Sequence, residues 1–333
     1  MSEAILVTGA AGFIGFHTAL KLLEGGKSVV GIDNLNDYYD VSLKLDRLEI
    51  LEKFDSFKFY KEDISNKDAI EQIWASEGGF KKVIHLAAQA GVRYSIENPY
   101  AYITSNIVGH MVIMEMCRNT QGFEHLVYAS SSSVYGKNKK LPYSVQDRVD
   151  NPISLYAATK KSDELMSYSY SHLYNIPQTG LRFFTVYGAW GRPDMSPIIF
   201  AKAISLGKKV PVFNHGDMKR DFTYIDDIVS GILAVLAKPP VKSGNDDAPH
   251  RILNIGNNKS EKLMDFIAVI EKSLGKAADI EFLPMQDGDV KETYADISET
   301  TALTGYKPTT TIDIGVPKFI DWYCGYFLSK LTT

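Results

Sequence analysis

The sequence predicts an α/β fold, a doubly wound parallel sheet joined to a smaller α/β domain toward the carboxy terminus. Three observations predict it. Short apolar runs alternate with helical patterns through the first half. A glycine-rich turn links the first run to the first helix. Beyond about residue 180, turn-rich segments gather: Gly191-Arg192-Pro193-Asp194, Pro239-Pro240 and Pro284 to Gly288. Buried runs with helices between them belong to parallel strands covered on both faces.

The elements follow in order. Ala4 to Val7 reads as a buried strand, and a helix runs from about Phe13 to Glu24 before Gly25-Gly26 stops it. Ser28 to Ile32 is a second strand and Phe57 to Tyr60 a weaker third. Lys82 to Leu86, His125 to Ala129 and Gln178 to Phe184 complete six. Val241 to His250 reads as an exposed loop. Asp226-Asp227-Ile228-Val229 opens a helix that returns to the larger domain. The expected division is therefore 1–180, with a returning segment near 222–255, and 181–333 for most of the smaller domain. No internal repeat or low-complexity tract is present.

The composition, 45% hydrophobic and 23% charged, suits a soluble globular chain. With a net charge of -4 and no long Lys/Arg run, nothing asks for nucleic acid or an anionic membrane. Cys117 and Cys324 lie in no CxxC pair and near no histidine cluster, so they read as free thiols of a reducing cytosol. No metal site is expected. The start, with Glu3 and no basic segment before an apolar one, is not a signal peptide. No apolar run reaches the roughly 18 residues of a membrane span. A cytoplasmic location is the expectation.

Gly9, Gly12 and Gly15 fall between the first strand and the first helix. Gly9 permits the tight turn, Gly12 lets backbone approach a pyrophosphate, and Gly15 lets helix pack closely on strand. The helix start, with Phe13 and Ile14, offers free N–H groups to an anion. Asp33, followed by Asn34, ends the second strand, where a carboxylate accepts hydrogen bonds from an adenosine ribose and repels a 2'-phosphate. NAD is thus favoured over NADP; a solvated strand-end acid is the alternative. Asp63 and Ile64, after the third strand, are candidates for the adenine ring.

Tyr156 and Lys160 lie four residues apart at the start of a helical pattern and share a face. A phenol ionises near pH 10, but an ammonium and a cationic pyridine ring beside it favour the phenolate. Such a group can take a proton from a sugar hydroxyl while hydride leaves the same carbon. A surface pair would give the same spacing. The run Ser130 to Ser133, before Val134-Tyr135-Gly136, lies at the carboxyl end of the fifth strand, where open sheets bind ligands. It is either a polar turn or a hydroxyl partner for Tyr156. The order of the three features favours an oxidoreductase-type site.

On these residues the chain resembles extended short-chain dehydrogenases/reductases acting on nucleotide sugars, from Thr8 to Pro308. The resemblance implies a Rossmann-type domain with NAD, a catalytic hydroxyl at Ser131, the base at Tyr156 and a ribose-binding lysine at Lys160. His85 to Pro99 resembles the strand and loop beside the cofactor, which brings in Leu86, Ala87 and Ala88. Asn106 matches a position on the nicotinamide side. Arg220-Asp221-Phe222 resembles a signature whose arginine holds the UDP diphosphate. The nearest likeness is to UDP-glucuronate 4-epimerases, carried by Leu181 to Met195. It implies that Thr185 and Arg192 face the sugar carboxylate, with Ser132, Ser133 and Arg93 as further candidates; alternatively Arg192 only pairs with Asp194. Asp289 is expected near the UDP ribose, although Asp287 stands where the family has proline.

The implied cycle is oxidation at C4, rotation of the keto sugar and reduction of its other face. The rivals are UDP-glucuronate decarboxylases, which place Glu at position 133, and 4,6-dehydratases, which place Asp-Glu at 132–133. This chain has Ser132-Ser133. A UDP-glucose 4-epimerase, opposed by Thr185, and a silent NAD-binding scaffold are the others. Pro99 to Arg118 and Ser154 to Tyr174 read as long helices apolar on more than one face, through Met111, Met114, Leu165 and Met166. The resemblance implies a homodimer paired through them.

Overall fold

The structure is a computed structural model that describes residues 4–242, 244, 247–286 and 288–328. Glu3, Asp287 and three residues of the expected loop at 241–250 lie outside the described residues.

Seven parallel strands form the main sheet: β1 (Ile5–Thr8), β2 (Val29–Asp33), β3 (Phe57–Lys61), β4 (Lys82–His85), β5 (His125–Ser131), β6 (Gln178–Phe183) and a late-arriving β11 (His250–Ile255). Their order is β11-β6-β5-β4-β1-β2-β3. Successive side chains alternate between two cores, as the two-residue period of a strand requires. In β1, Ile5 and Val7 join one core, which includes Phe16, Leu22 and Ile228. Leu6 joins the other, with Ile70, Trp74 and Ile113. Helices α1 (Phe13–Glu24) and α9 (Ile225–Leu236) supply the first layer; α3 (Lys67–Ser76) and α6 (Gly109–Arg118) supply the second. The sheet is doubly wound, as expected.

β11 pairs with β6 through six residues and was not among the six expected strands. Its sequence follows a polar loop and carries His250, Arg251 and Asn254, so it lacks a simple apolar run. The smaller sheets come from later segments: β7 (Thr185–Tyr187) with β10 (Phe222–Tyr224), β9 (Lys219–Arg220) with β12 (Glu261–Lys262), and β8 (Lys209–Val212) with β13 (Asp279–Phe282). Among the described residues no helix is long and apolar enough to cross a membrane.

Two helices matter for the site. Helix α7 (Leu155–Tyr174) starts at Ser154, whose hydroxyl accepts the Ala157 N–H at 3.1 Å. That cap puts Tyr156 in the first turn and Lys160 in the second. The segment 99–118 is helical throughout, with a π-helical stretch at Ile103–Val108.

Candidate active site

The strand order reverses between β1 and β4, so the connections leaving them diverge and open a crevice at their carboxyl ends. A cavity of about 370 Å³ occupies it. Its wall is built from the segments that follow β1, β2, β4 and β5, together with the first turns of α7.

The glycine loop closes one end. Gly9 has φ +72°, and a side chain there would meet the Ala87 nitrogen at 2.8 Å. A methyl group on Gly15 would lie 2.0 Å from the Gly9 carbonyl oxygen, so Gly15 packs on the loop's own backbone rather than on the strand. Gly12 caps α1 without a side-chain bond, which leaves the N–H groups of Phe13, Ile14 and Gly15 without helical acceptors. These residues line the cavity. The geometry fits an anionic diphosphate.

Asp33 also lines the cavity and is 7% exposed, which overturns the solvated alternative. One carboxylate oxygen accepts the Ala11 N–H at 3.2 Å, and the other accepts the Leu35 N–H at 2.9 Å and lies 3.6 Å from the Lys44 ammonium. Asn34, Ile64, Leu86, Ala87 and Ala88 share the wall. Asp63 turns away: it accepts from Asn34 at 2.8 Å and from the Ser65 N–H and hydroxyl. Burial pushes its carboxyl up, but these bonds outweigh burial and hold it below its ordinary value. Its neighbour Glu62 is on the wall instead.

At the other end, Ser131, Ser132, Ser133, Tyr156 and Lys160 line the same cavity. The Ser131 hydroxyl oxygen accepts the Ser133 N–H at 3.1 Å, which leaves its proton free to donate outward. The Tyr156 ring meets Tyr102 edge-on with centroids 6.0 Å apart. Lys160 is 3% exposed; its ammonium donates to the Ala129 carbonyl at 2.9 Å and to Asp163 at 3.1 Å. Behind it, Thr8 bonds His85 at 2.7 Å, and His85 stacks on His110. Burial, then the Lys160 charge, pushes the His85 imidazole down to about 3, so no second cation competes with Lys160.

Thr185 and Arg192 reach the cavity from the later segments. Arg192 lines the wall and pairs bidentately with Asp194, at 3.0 and 2.5 Å. Tyr38 donates to the same carboxylate at 3.0 Å. Burial would raise the Asp194 carboxyl, but Arg192 holds it below the usual range.

Besides Asp63, four expected contacts are not on the cavity wall. Arg93 stacks its guanidinium over Phe213, 5.3 Å from the ring centre. Asn106 is 1% exposed and bonds Gln89 through both ends of its amide and Thr159 at 3.0 Å, so it fixes the loop after β4 to α7. Arg220 and Asp289 bind each other at 2.7 Å, and neither is among the cavity residues.

Sequence reasoning missed the segment after β2. Asn36, Tyr38, Tyr39 and Lys44 line the cavity. Arg47, on helix α2 (Val41–Leu51), is fully buried; it donates to the Ala11 carbonyl at 2.7 Å, to the Tyr39 hydroxyl at 2.8 Å and to the Trp190 carbonyl at 2.5 Å. It ties the glycine loop to the turn that carries Arg192. The only signal was a pair of cations, Lys44 and Arg47, at helical spacing.

The sequence matches the profile described as the NAD dependent epimerase/dehydratase family over residues 5–256. It is 52% identical to Protein CapI of Staphylococcus aureus, covering 97% of this chain and 99% of that one. It is 45% identical to a probable UDP-glucuronate 4-epimerase of Rhizobium meliloti, covering 96% of each. The structure superposes with a TM-score of 0.87 on a UDP-glucuronic acid 4-epimerase from Bacillus cereus, solved with UDP-glucuronic acid and NAD. That protein is 36% identical, and the match covers 96% of this chain and 98% of the other.

Proposed function

The chain belongs to the NAD-dependent epimerase/dehydratase family, an isomerase with NAD as cofactor, and from that premise we propose that it interconverts UDP-glucuronate and UDP-galacturonate. One observation carries the choice of sugar. Thr185, Ser132, Ser133 and Arg192 line the cavity that holds Tyr156 and Ser131. A hydroxyl set with one guanidinium suits a carboxylate at carbon six.

The Gly9–Gly15 loop and α1 would hold the diphosphate of NAD, Asp33 its adenosine ribose, and Lys160 its other ribose. When bound, the cofactor supplies reversible hydride transfer at carbon four. Tyr156 takes the C4 hydroxyl proton, with Ser131 donating to the same oxygen, and returns it after the sugar has turned. The positive charge of Lys160 favours the phenolate. Arg220 and Asp289, paired with each other, would meet the UDP diphosphate and ribose. Arg93 and Asn106 act as supports rather than ligands on this reading, and Asp63 positions Asn34.

The oxidised sugar is a β-keto acid and loses carbon dioxide readily when its carboxylate stands perpendicular to the carbonyl. Thr185 and Arg192 would hold that carboxylate near the ring plane. The serines at 132–133 provide no acid for dehydration, nor the glutamate of decarboxylases. The carboxylates on the described cavity wall, Asp33 and Glu62, belong to the β2 and β3 end. Three strand spacings, about 14 Å, separate β2 from β5. The Leu165, Tyr168 and Leu173 side chains, exposed on α7, and Met111 on α6 support a homodimer through these helices. The free thiols of Cys117 and Cys324 support a reducing, cytoplasmic setting.

The test is incubation of the purified protein with UDP-glucuronate. UDP-galacturonate is expected, its formation abolished by Tyr156→Phe. Thr185→Val and Arg192→Met are expected to release UDP-pentose. Unchanged turnover in Tyr156→Phe refutes the mechanism, and unchanged product purity refutes the carboxylate assignment.

A further inference from the structure

The ammonium of Lys160 has three hydrogens. The Ala129 carbonyl on β5 takes one at 2.9 Å, and the Asp163 carboxylate, one turn along α7, takes another at 3.1 Å. Tyr156 lies one turn the other way on the same helix face. Lys160 and Asp163 are 3% and 1% exposed. We propose that Asp163 is a positioning residue: by occupying one hydrogen of Lys160 it leaves the third directed into the cavity, toward a ribose hydroxyl of the dinucleotide. The inference rests on the role assigned to Lys160 under the proposed function.

Stability does not account for the pair. A buried ion pair contributes little net stability unless its remaining lone pairs are satisfied. Here the second Asp163 oxygen is buried with no hydrogen-bond partner, which is a cost rather than a gain. Burial pushes the Asp163 carboxyl up to about 7, against the Lys160 charge. The surroundings offer it no other cation. Glu164, next on α7, is taken by Arg182 of β6 and by Ser130. His110 of α6 bonds the Asp163 backbone, and burial holds its imidazole far below its ordinary value. Tyr128 of β5 is pushed up by burial and stays neutral. Among the described residues Lys160 is the one cation within ion-pair distance of Asp163. What the carboxylate can do is aim that ammonium.

Two variants separate aiming from packing. Asp163→Asn keeps an oxygen for Lys160, and Asp163→Leu keeps the branched shape without one; Asp163→Ala replaces the latter if its greater bulk makes it insoluble. Bound dinucleotide is extracted after gel filtration of the purified holoenzyme and quantified, and kcat is measured on UDP-glucuronate. Asp163→Leu is expected to lose at least tenfold in kcat and most of its dinucleotide, with Asp163→Asn restoring both to within about fivefold of the parent. Asp163→Leu matching the parent, or Asp163→Asn falling as far as Asp163→Leu, overturns the proposal. Lys160→Met runs in parallel. If it stays active, the role of Lys160 itself is wrong; if it is inactive while Asp163→Leu is unaffected, only the inference about Asp163 fails.

Discussion

Replacing Glu164 with leucine tests how the serine-bearing strand β5 is held against helix α7. Glu164 and Arg182 have side chains 2% and 3% exposed. One Glu164 oxygen accepts from Arg182 Nε at 2.8 Å and from the Ser130 hydroxyl at 2.7 Å; the other accepts from Arg182 Nη2 at 2.9 Å. Breaking a buried pair from one side strands the other charge and costs about 3–5 kcal/mol. Native stability is typically about 5–15 kcal/mol, so this is a large fraction of it. Replacing both partners strands neither of them, and Lys161, which lies 3.3 Å from the second Glu164 oxygen, is 25% exposed and keeps access to water. Glu164→Leu with Arg182→Leu is therefore expected to recover at least about 2 kcal/mol relative to the sum of the single changes.

The assay is urea unfolding followed by the fluorescence of Trp74, Trp190 and Trp322. Burial raises the Glu164 carboxyl, but Arg182 and Ser130 outweigh it and the group lies below its ordinary 4.5. A depressed folded value contributes stability above the unfolded value and loses it as pH falls through the folded one. The gap between parent and Glu164→Leu should thus be full at pH 7 and narrow below 4.5. A single-variant cost under about 1 kcal/mol, or a double variant no better than additive, refutes the reasoning. Turnover should fall too, because Ser130 precedes Ser131.

Gly15→Ala puts a methyl group 2.0 Å from the Gly9 oxygen, so the loop must open; dinucleotide content of the purified variant is expected to drop below a tenth of the parent's, and normal content refutes this. His125 is fully buried between the Leu236 carbonyl and the Thr179 hydroxyl, and burial pushes its imidazole down to about 4. The unfolded chain then takes up a proton that the folded one refuses, so stability is lost as pH falls from about 6.5 toward 4, by ~1.4 kcal/mol per unit. His125→Gln removes that slope, and its stability relative to the parent should improve by about 2 kcal/mol between pH 7.5 and 5 in urea unfolding. An unchanged difference refutes the assignment.

The parts of the site legible in the sequence are those whose geometry is local. The glycine turn, the strand-end Asp33 and the one-turn spacing of Tyr156 and Lys160 all sit within short stretches of one or two elements. Arg47 was opaque because its meaning lies 143 residues away, in the Trp190 carbonyl. Nothing near Arg47 in the chain predicts that the 188–194 turn packs on the glycine loop. Lys44 is similar: its charge matters only once α2 folds back over Asp33. β11 escaped because it is an edge strand that opens on His250 and Arg251 rather than an apolar run, and because Asn254 is buried by bonding the Tyr143 and Asp296 carbonyls. Asn106 was placed near the cofactor by resemblance alone, and its amide proves to be spent on Gln89 and Thr159.

The two arginines assigned to substrate anions share one arrangement. Arg192 is clasped by Asp194, and Arg220 by Asp289. A buried or half-buried guanidinium cannot stand uncompensated at low cost, and each aspartate supplies the compensation. On the proposed reading, an anionic substrate group must share the guanidinium or displace the acid. A neutral hydroxymethyl group in place of the sugar carboxylate would leave that pair intact and gain no charge–charge contact with it. Tyr38 strengthens the point, since it donates to Asp194 and keeps that carboxylate an acceptor of ordinary strength rather than a bare charge. Arg47 holds the backbone of the same turn and of the glycine loop, so the turn that carries Arg192 and the Gly9–Gly15 loop form one connected piece of structure.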